Sequence, residues 1–133
     1  MIKVILDFAD VKKNDVFYDL GSGDGRILKE VAKKGIQVVG IEHNSFLNFL
    51  ARKKTRNMEN VKIIKGNIFD QDLSKVTIIV TYLSQTVVKK LQKKIEKETK
   101  KGTRIIIVDH KFLNWEPVKI KKVWFIPIRL YVK

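Results

Sequence analysis

The sequence predicts an α/β protein in which a mostly parallel sheet carries helices on both faces and ends in an antiparallel hairpin. Three observations lead to this fold class. Strand and helix patterns alternate through most of the chain, three glycines cluster after the first strand pattern, and two strand patterns stand side by side at the end. With 133 residues the chain can form one hydrophobic core but not two, so we expect a single domain over residues 1–133.

The first half of the chain contains three strand patterns and three helix patterns. Strand segments are runs of β-branched and aromatic residues, whereas helical segments repeat an apolar residue every three or four positions. In chain order they are a short helix with Ile2, Ile5, Leu6 and Ala9 on its apolar side, a strand at Val16–Leu20, a helix at 24–34 that stops at Gly35, a strand at Gln37–Glu42, a helix capped by Asn44, and a strand at Val61–Lys65. The helix after Asn44 is expected to use as its apolar side Phe46, Leu47, Phe49, Leu50 and Ala51.

The second half of the chain departs from strict alternation. The segment 110–117 is too short for a crossover that carries a full helix, so we expect a loop there and an antiparallel end to the sheet. The predicted elements are a strand at 76–82, a long helix that opens at Ser84 or Thr86 with Val87, Val88, Leu91 and Ile95 as its apolar stripe, a strand at 103–109, and a hairpin of strands 119–124 and 128–132.

The chain is strongly basic. It has 28 Lys and Arg against 14 Asp and Glu, a net charge of +14 and a pI of about 10.0. Such a charge favours polyanions and makes RNA a possible partner. The lysines are spread along the chain, however, and a lysine-rich surface is also typical of heat-adapted proteins. The charge alone therefore does not decide the function.

Several classes of function are excluded or disfavoured by what the chain lacks. Cysteine is absent, which excludes disulfides, thiolate metal sites and a covalent cysteine mechanism. Acidic residues are scattered, so we expect no metal site. No apolar run approaches the roughly 18 residues of a membrane span, and residues 1–10 mix charges with apolar residues. We expect a cytoplasmic protein that does not span or bind a membrane.

The glycine cluster is the most informative motif. Gly21, Gly23 and Gly25 lie between the first strand and the next helix, and Asp19 stands two residues before the first glycine. Glycines at such a turn let a ligand approach the backbone at a strand end. Dinucleotide sites prefer G-x-G-x-x-G, whereas the D-x-G-x-G-x-G form resembles the first motif of class I S-adenosylmethionine (SAM) methyltransferases. We expect the backbone at Gly21, Ser22, Gly23 and Gly25 to pass under the cofactor and Asp19 to hold its ammonium group.

Two further strand ends offer cofactor contacts. Glu42 ends the second strand, where it could accept hydrogen bonds from a ribose diol; its neighbour His43 lies on the same side. An acid there also serves NAD sites, so it indicates a ribose rather than SAM. Asn67 ends the third strand, with Ile68 or Phe69 placed to cover an adenine ring, although Gly-Asn is also a common turn pair.

The fourth strand ends at the sequence Thr81-Tyr82-Leu83-Ser84, where a substrate nucleophile is expected. Thr81 and Tyr82 are therefore candidate substrate-side residues, and Tyr82 is equally well a strand-end aromatic. The Asn/Asp-Pro-Pro-aromatic tetrad that holds a base amine is absent, which disfavours base-amine methylation. No catalytic base is named.

Histidine and tryptophan give weaker indications. His43 and His110 both fall at strand ends on the expected ligand side, and a structural role is favoured for each. Trp115 and Trp124 are expected to pack in the core or the hairpin rather than to stack on bases.

Together, the sequences DLGSGDGR at 19–26, GIE at 40–42, KGN at 65–67 and KGTRIIIV at 101–108, followed by Trp115, resemble one family. They are similar to the small archaeal protein-lysine methyltransferases and their mitochondrial relatives, seven-strand Rossmann-like class I enzymes. The resemblance runs from about residue 14 to the end. It differs at Asn67, where much of the wider class has Asp, and at the N-terminus, where a segment that covers the site is expected to be short or missing.

The resemblance implies direct methyl transfer from SAM to a lysine side chain of a protein. Two alternatives stay open at this stage. One is an RNA methyltransferase, which the charge of +14 supports because a positive enzyme repels a basic protein tail. The other is a SAM-binding or nucleotide-binding module with little turnover. The oligomeric state is not predicted.

Overall fold

The structure, a computed structural model, describes all 133 residues. Seven strands form one sheet, and four helices with one turn of 3₁₀ helix (Ile68–Asp70) connect them. The elements in chain order are α1 (Ile2–Ala9), β1 (Val16–Leu20), α2 (Arg26–Ala32), β2 (Gln37–Glu42), α3 (Ser45–Thr55), β3 (Val61–Lys65), β4 (Ile78–Thr81), α4 (Gln85–Glu98), β5 (Arg104–Val108), β6 (Lys119–Val123) and β7 (Ile126–Val132).

The strand order is β3-β2-β1-β4-β5-β7-β6. The first five strands are mutually parallel, so their carboxyl ends meet at one edge of the sheet, which we call the carboxyl edge. The chain order reverses between β1 and β4, and ligands of open α/β sheets bind at such a switch point. Strand β7 enters antiparallel between β5 and β6. The predicted fold class is confirmed.

Each face of the sheet has its own hydrophobic core. Helices α1 and α2 bury side chains such as Ile5 and Leu28 against one face. Helix α4 buries Leu91 and Ile95 against the other, together with Tyr131 of β7. The segment 110–117 is a loop, as predicted. It covers the sheet with an aromatic cluster instead of a helix: the rings of Phe112 and Trp115 stack at 5.2 Å, and the Phe112 N–H donates to the Tyr131 hydroxyl at 3.0 Å.

The predicted bounds of β1, β2 and β3 agree with the structure, as does the Asn44 cap, whose Oδ1 accepts the Leu47 N–H at 3.0 Å. Helix α2 begins two residues later than predicted, because Gly25 has a left-handed φ of 84° that a helix cannot contain. The fourth strand is shorter than predicted and begins at Ile78.

The predicted apolar side of α3 is confirmed at Ala51 and wrong at Phe46 and Phe49. Phe46 and Phe49 are 58% and 62% exposed, and the buried residues are Asn48, Ala51 and Thr55. The reason is the close approach of the glycine turn: a Cβ at Gly25 would lie 2.8 Å from the Ala51 Cβ, so only small side chains fit beneath it. The face is also polar, because the Asn48 side-chain amide donates to the Glu42 carbonyl at 2.7 Å.

The hairpin is confirmed, but its turn is tighter than predicted. Val123 pairs with Ile126, which leaves only Trp124 and Phe125 in the turn. Trp115 packs in the aromatic cluster as expected, whereas Trp124 is 89% exposed. The expectation that Trp124 packs in the core or the hairpin is therefore wrong, because a two-residue turn at the strand end has no neighbouring surface to cover it.

Candidate functional site

Two adjoining cavities open at the carboxyl edge, and Gly21 lines both of them. The larger has a volume of about 690 Å³ and lies between the end of β1, the start of α1 and the end of β4. The smaller has a volume of about 440 Å³ and lies between the ends of β2 and β3 and the start of α4. Both lie at the switch point, where the fold predicts a ligand.

The turn after β1 is held tightly against β2. The backbone N–H groups of Gly21 and Ser22 both donate to the Ile41 carbonyl, at 2.8 and 3.1 Å. Gly21 also lies close to Leu83, in the loop that follows β4. A Cβ on residue 21 would lie only 2.7 Å from the Leu83 Cδ2. The turn therefore forms the wall between the two cavities, and any ligand that occupies both must pass over Gly21.

Asp19 supplies a buried carboxyl group to the larger cavity. It is only 3% exposed, and its Oδ2 has no hydrogen-bond partner within the protein. Burial raises the pKa of Asp19 to about 7, and the charge of Glu42 adds to this. A buried carboxylate without a partner is costly, so this atom is suited to a cationic ligand group. The Ser22 hydroxyl, also at this cavity, has no partner either.

Glu42 lines the smaller cavity and organises the loops around it. Its Oε1 accepts the Gly23 N–H at 3.1 Å and its Oε2 accepts the Asn44 N–H at 2.9 Å, while the His43 Nδ1 lies 3.3 Å from Oε2. A carboxylate has about four acceptor positions, so this one keeps capacity for a diol. It thus ties the glycine turn to the start of α3 at the wall of the cavity.

The rest of the smaller cavity is an apolar slot. Asn67 lies at its end, where Oδ1 accepts the Phe69 N–H at 2.9 Å and begins the 3₁₀ turn. Ile68 and Phe69 both line the slot, and their role in covering an adenine ring stays a prediction. The sequence reasoning missed Ile41, Leu83 and Val87. The sequence predicts Val87 only as part of the apolar stripe of α4. Its position beside the cavity depends on how α4 packs against the sheet, which the sequence does not show.

The structure separates the two candidate substrate-side residues. Tyr82 lines the larger cavity and is 48% exposed. Thr81 is fully buried, and its hydroxyl donates to the Leu20 carbonyl at 3.0 Å. The expectation that Thr81 faces a substrate is therefore corrected: it joins β4 to β1. Sequence reasoning also missed the start of α1, which brings Lys3 to this cavity.

Three other predicted residues lie outside the cavity walls. Gly23 is connected to the site only by the hydrogen bond that its N–H donates to Glu42. Gly25 packs against Ala51 of α3 and lines neither cavity. His110 lies 3.6 Å from the Asp109 carboxylate and lines neither cavity. No group of three or more His, Asp or Glu is placed to hold a metal ion, and none of the helices has the length and apolarity needed to cross a bilayer.

We predict that Glu42→Ala weakens SAM binding by about 1–3 kcal/mol, the scale of a hydrogen bond to a charged group. Equilibrium dialysis with labelled SAM measures the change, and Glu30→Ala is the matched control, because Glu30 lies on α2, lines neither cavity and forms its ion pair with Lys33. Unchanged affinity would remove Glu42 from the site. Urea unfolding of the variant separates lost contacts to SAM from loosening of the glycine turn.

Comparison with known proteins identifies the family. Residues 19–119 match the ANTKMT methyltransferase domain. A protein-lysine N-methyltransferase of Saccharolobus islandicus is 34% identical over 131 residues, which are 92% of this chain and 80% of that protein. A human protein named as a lysine N-methyltransferase of ATP synthase is 30% identical over 102 residues, 74% of this chain. The chain spans only 44% of the human protein's length.

Two solved structures have the same fold and contain S-adenosyl-L-homocysteine, the product that SAM leaves after methyl transfer. An RNA methyltransferase from Salinibacter ruber in complex with S-adenosyl-L-homocysteine superposes with a TM-score of 0.93 at 31% identity, covering 98% of this chain and 88% of that one. A geranyl diphosphate C-methyltransferase from Streptomyces coelicolor, also bound to S-adenosyl-L-homocysteine, has a TM-score of 0.71 at 19% identity, covering 80% of this chain and 43% of that one, and supports the fold alone. With the glycine turn and paired cavities described above, these matches show that the chain belongs to the ANTKMT methyltransferase domain family and is a methyltransferase that uses SAM.

Proposed function

We propose that this protein transfers methyl groups from SAM to lysine side chains of proteins. The observation that carries the proposal is the match to the archaeal protein-lysine N-methyltransferase, at 34% identity over 92% of the chain. The larger cavity supports it, because it opens to solvent beside an exposed aromatic ring, Tyr82, and has room for an extended aliphatic amine. The residues at the end of β4 also lack the tetrad that would hold a base amine.

We further propose how the site holds SAM. The apolar slot of Ile68, Leu83 and Val87 suits an adenine ring, and the carboxylate of Glu42 suits the ribose hydroxyls. The cofactor's methionine part extends over Gly21 into the larger cavity, where the unpartnered carboxyl group of Asp19 suits its ammonium. Each of the three chemical parts of SAM thus meets a group of the matching kind.

The protein's contribution to the reaction is mainly alignment. SAM supplies an activated methyl group when bound. A lysine with the usual pKa of about 10.4 must first lose its proton, which costs about 4.6 kcal/mol at pH 7. Alignment of two reactants supplies roughly 7–11 kcal/mol, so the site needs no dedicated base. Tyr82 lines the larger cavity and is placed beside the path by which the amine approaches.

RNA methylation is the second candidate. Two observations favour it: the net charge of +14 and the similarity to the Salinibacter ruber protein named as an RNA methyltransferase. Binding to phosphates releases counterions, so the affinity for RNA falls steeply with salt. A protein substrate held through apolar contacts shows a much flatter response. Salt dependence therefore separates the two candidates.

The test is transfer of radiolabelled methyl from SAM into an extract of the source cells, with the product divided between protease and RNase treatment. Label that protease releases, and that mass spectrometry places on lysine ε-amino groups, supports the proposal. Label that RNase releases overturns it in favour of RNA. No label at all, with SAM binding intact, identifies a binding module. The Glu42→Ala variant serves as the control for cofactor-dependent labelling.

A further inference from the structure

Helix α3 turns two aromatic rings toward solvent. Phe46 and Phe49 are 58% and 62% exposed, although phenylalanine is among the residues most often buried. The buried side of the helix consists of Asn48, Ala51 and Thr55, so the two rings stand on the opposite side. Neither ring lines a cavity, and the SAM site has no use for them.

Cations continue the line of the two rings. Lys53 follows Phe49 by four residues and Arg56, the C-cap of α3, follows Lys53 by three, so all four side chains share one face of the helix. Neighbouring side chains on such a face are about 5–6 Å apart, and the whole line is about 15 Å long. We call these four residues, Phe46, Phe49, Lys53 and Arg56, the α3 row.

Further cations lie between the α3 row and the edge of the sheet. The Arg52 guanidinium donates to the Ile63 carbonyl at 3.2 Å, which places it over β3, the edge strand. Lys65 stands two residues after Ile63, so it lies on the same face of β3, and it is exposed. The positive surface therefore extends from the helix to the strand beside it.

Few acids offset this positive charge. Between positions 43 and 70 the chain has six Lys and Arg and only two acids, Glu59 and Asp70. The acids of the neighbouring glycine turn and of α2 are already paired, Asp24 with Arg26 and Lys54, and Glu30 with Lys33. Lys53 and Arg56 form no ion pair, so both remain available to an anion.

The combination of exposed rings and free cations selects a single-stranded nucleic acid as the occupant. Such strands bind where aromatic rings stack on their bases and cations meet their phosphates. An anionic bilayer requires a continuous apolar face that sinks into the lipid, whereas half of the α3 row is charged. A second copy of this chain would bring like charges together.

We propose that the α3 row binds an unpaired segment of nucleic acid, with bases stacked on Phe46 and Phe49 and phosphates on Lys53 and Arg56. The row lies outside both cavities, so the strand is held beside the methyl-transfer site and is not itself methylated there. The inference therefore does not depend on the lysine activity. The salt dependence of methyl transfer, rather than of RNA binding, is what separates the two candidate substrates.

The test is fluorescence anisotropy with a short fluorescein-labelled oligo(U), whose bases do not pair, at several salt concentrations. Phe46→Ala/Phe49→Ala is expected to lower the affinity by about tenfold or more through lost stacking, without a change in salt dependence. Lys53→Gln/Arg56→Gln is expected to reduce the slope of log affinity against log salt by about 1.4, roughly 0.7 for each lost phosphate contact.

Two matched variants make the test specific. Phe46→Leu/Phe49→Leu keeps an apolar surface but removes the ring faces, so it should lose affinity as the alanine variant does. Full affinity in the leucine variant would mean apolar contact without stacking and would overturn the inference. Lys90→Gln/Lys97→Gln removes two exposed cations from α4, on the other face of the sheet, and should leave the slope unchanged. An equal fall in slope would mean diffuse attraction to the whole protein and would likewise overturn it.

Other ligands assign the surface if the inference is wrong. Ring-dependent binding to anionic phosphatidylglycerol vesicles, or ring-dependent dimers in sedimentation, without binding of oligo(U), overturns it in favour of a membrane or a second copy. Comparison of oligo(U) with oligo(dT) distinguishes RNA from DNA, and binding of either supports the α3 row. Methyl transfer to a lysine peptide, measured alongside, should be equal in all the variants. Oligo(U) binding without any such transfer supports the α3 row and counts against the lysine activity alone.

Discussion

Gly23→Val is expected to abolish measurable SAM binding while the fold survives. Gly23 has a φ of 57°, which a β-branched residue adopts only at a cost of about 1–3 kcal/mol. A Cβ at this position meets no atom within 4 Å, so the cost of the substitution lies in the backbone of the turn and not in a clash of the Cβ. The change also displaces the N–H group that holds Glu42 at 3.1 Å. Calorimetric titration with SAM measures the loss.

Gly35→Val provides the matched control. Gly35 also has a positive φ, 80°, and an added Cβ there also meets nothing within 4 Å, but it follows α2 at the opposite edge of the sheet. The two variants should lose similar free energy of unfolding in urea, because they carry the same backbone strain. Only Gly23→Val should lose SAM. Wild-type affinity in Gly23→Val would mean that the turn does not contact the cofactor.

SAM affinity is expected to fall as the pH drops below 7, and Asp19→Asn is expected to remove both the affinity and its pH dependence. The pKa of Asp19 is raised to about 7, so the free protein holds a proton there that a cationic ligand must expel. Each pH unit below the pKa then lowers the affinity by about tenfold. Titrations in buffers of different ionisation enthalpy should detect release of this proton near neutral pH. A flat affinity profile would show that Asp19 does not bind the ammonium group.

The same substitution should act on stability in the opposite direction. Because folding raises the pKa of Asp19 above its ordinary 3.8, its contribution to stability is full below that value and is lost as the pH rises through about 7. Above pH 7, Asp19→Asn should therefore increase the free energy of unfolding, by up to about 4 kcal/mol. Urea unfolding at pH 5 and pH 8 measures the difference between the two proteins, which should be larger at pH 8. A variant less stable than wild type at pH 8 would contradict the raised pKa.

The sequence predicted the strands well because their limits follow from local rules. Strands β1, β2 and β3 are short β-branched runs bounded by polar or glycine residues, so their limits are sharp. The meeting of Asp19 and Glu42 followed from parallel strands, whose carboxyl ends share an edge. Tyr82 could be placed at that edge for the same reason.

Other features depend on contacts between distant elements. The buried face of α3 could not be predicted, since Phe46 and Phe49 satisfy helical periodicity as well as Asn48 and Ala51 do. Only the approach of Gly25 decides between them. Likewise, nothing in the sequence near Lys3 indicates that α1 docks beside β5 and β7 and so reaches the larger cavity. The exposure of Trp124 could not be predicted either, because no residue near it in the sequence shows that no other element covers its turn.

The insertion of β7 between β5 and β6 has a consequence for how the chain folds. Strand β6 precedes β7 in the chain but reaches the sheet only through it. The aromatic cluster around Tyr131 is likewise incomplete until β7 is in place. Strand β6 therefore joins the sheet only by pairing with β7, and β5 presents an unpaired edge until β7 docks. An edge of this kind invites pairing with other chains, so the interval before β7 docks is when this protein is most prone to aggregate.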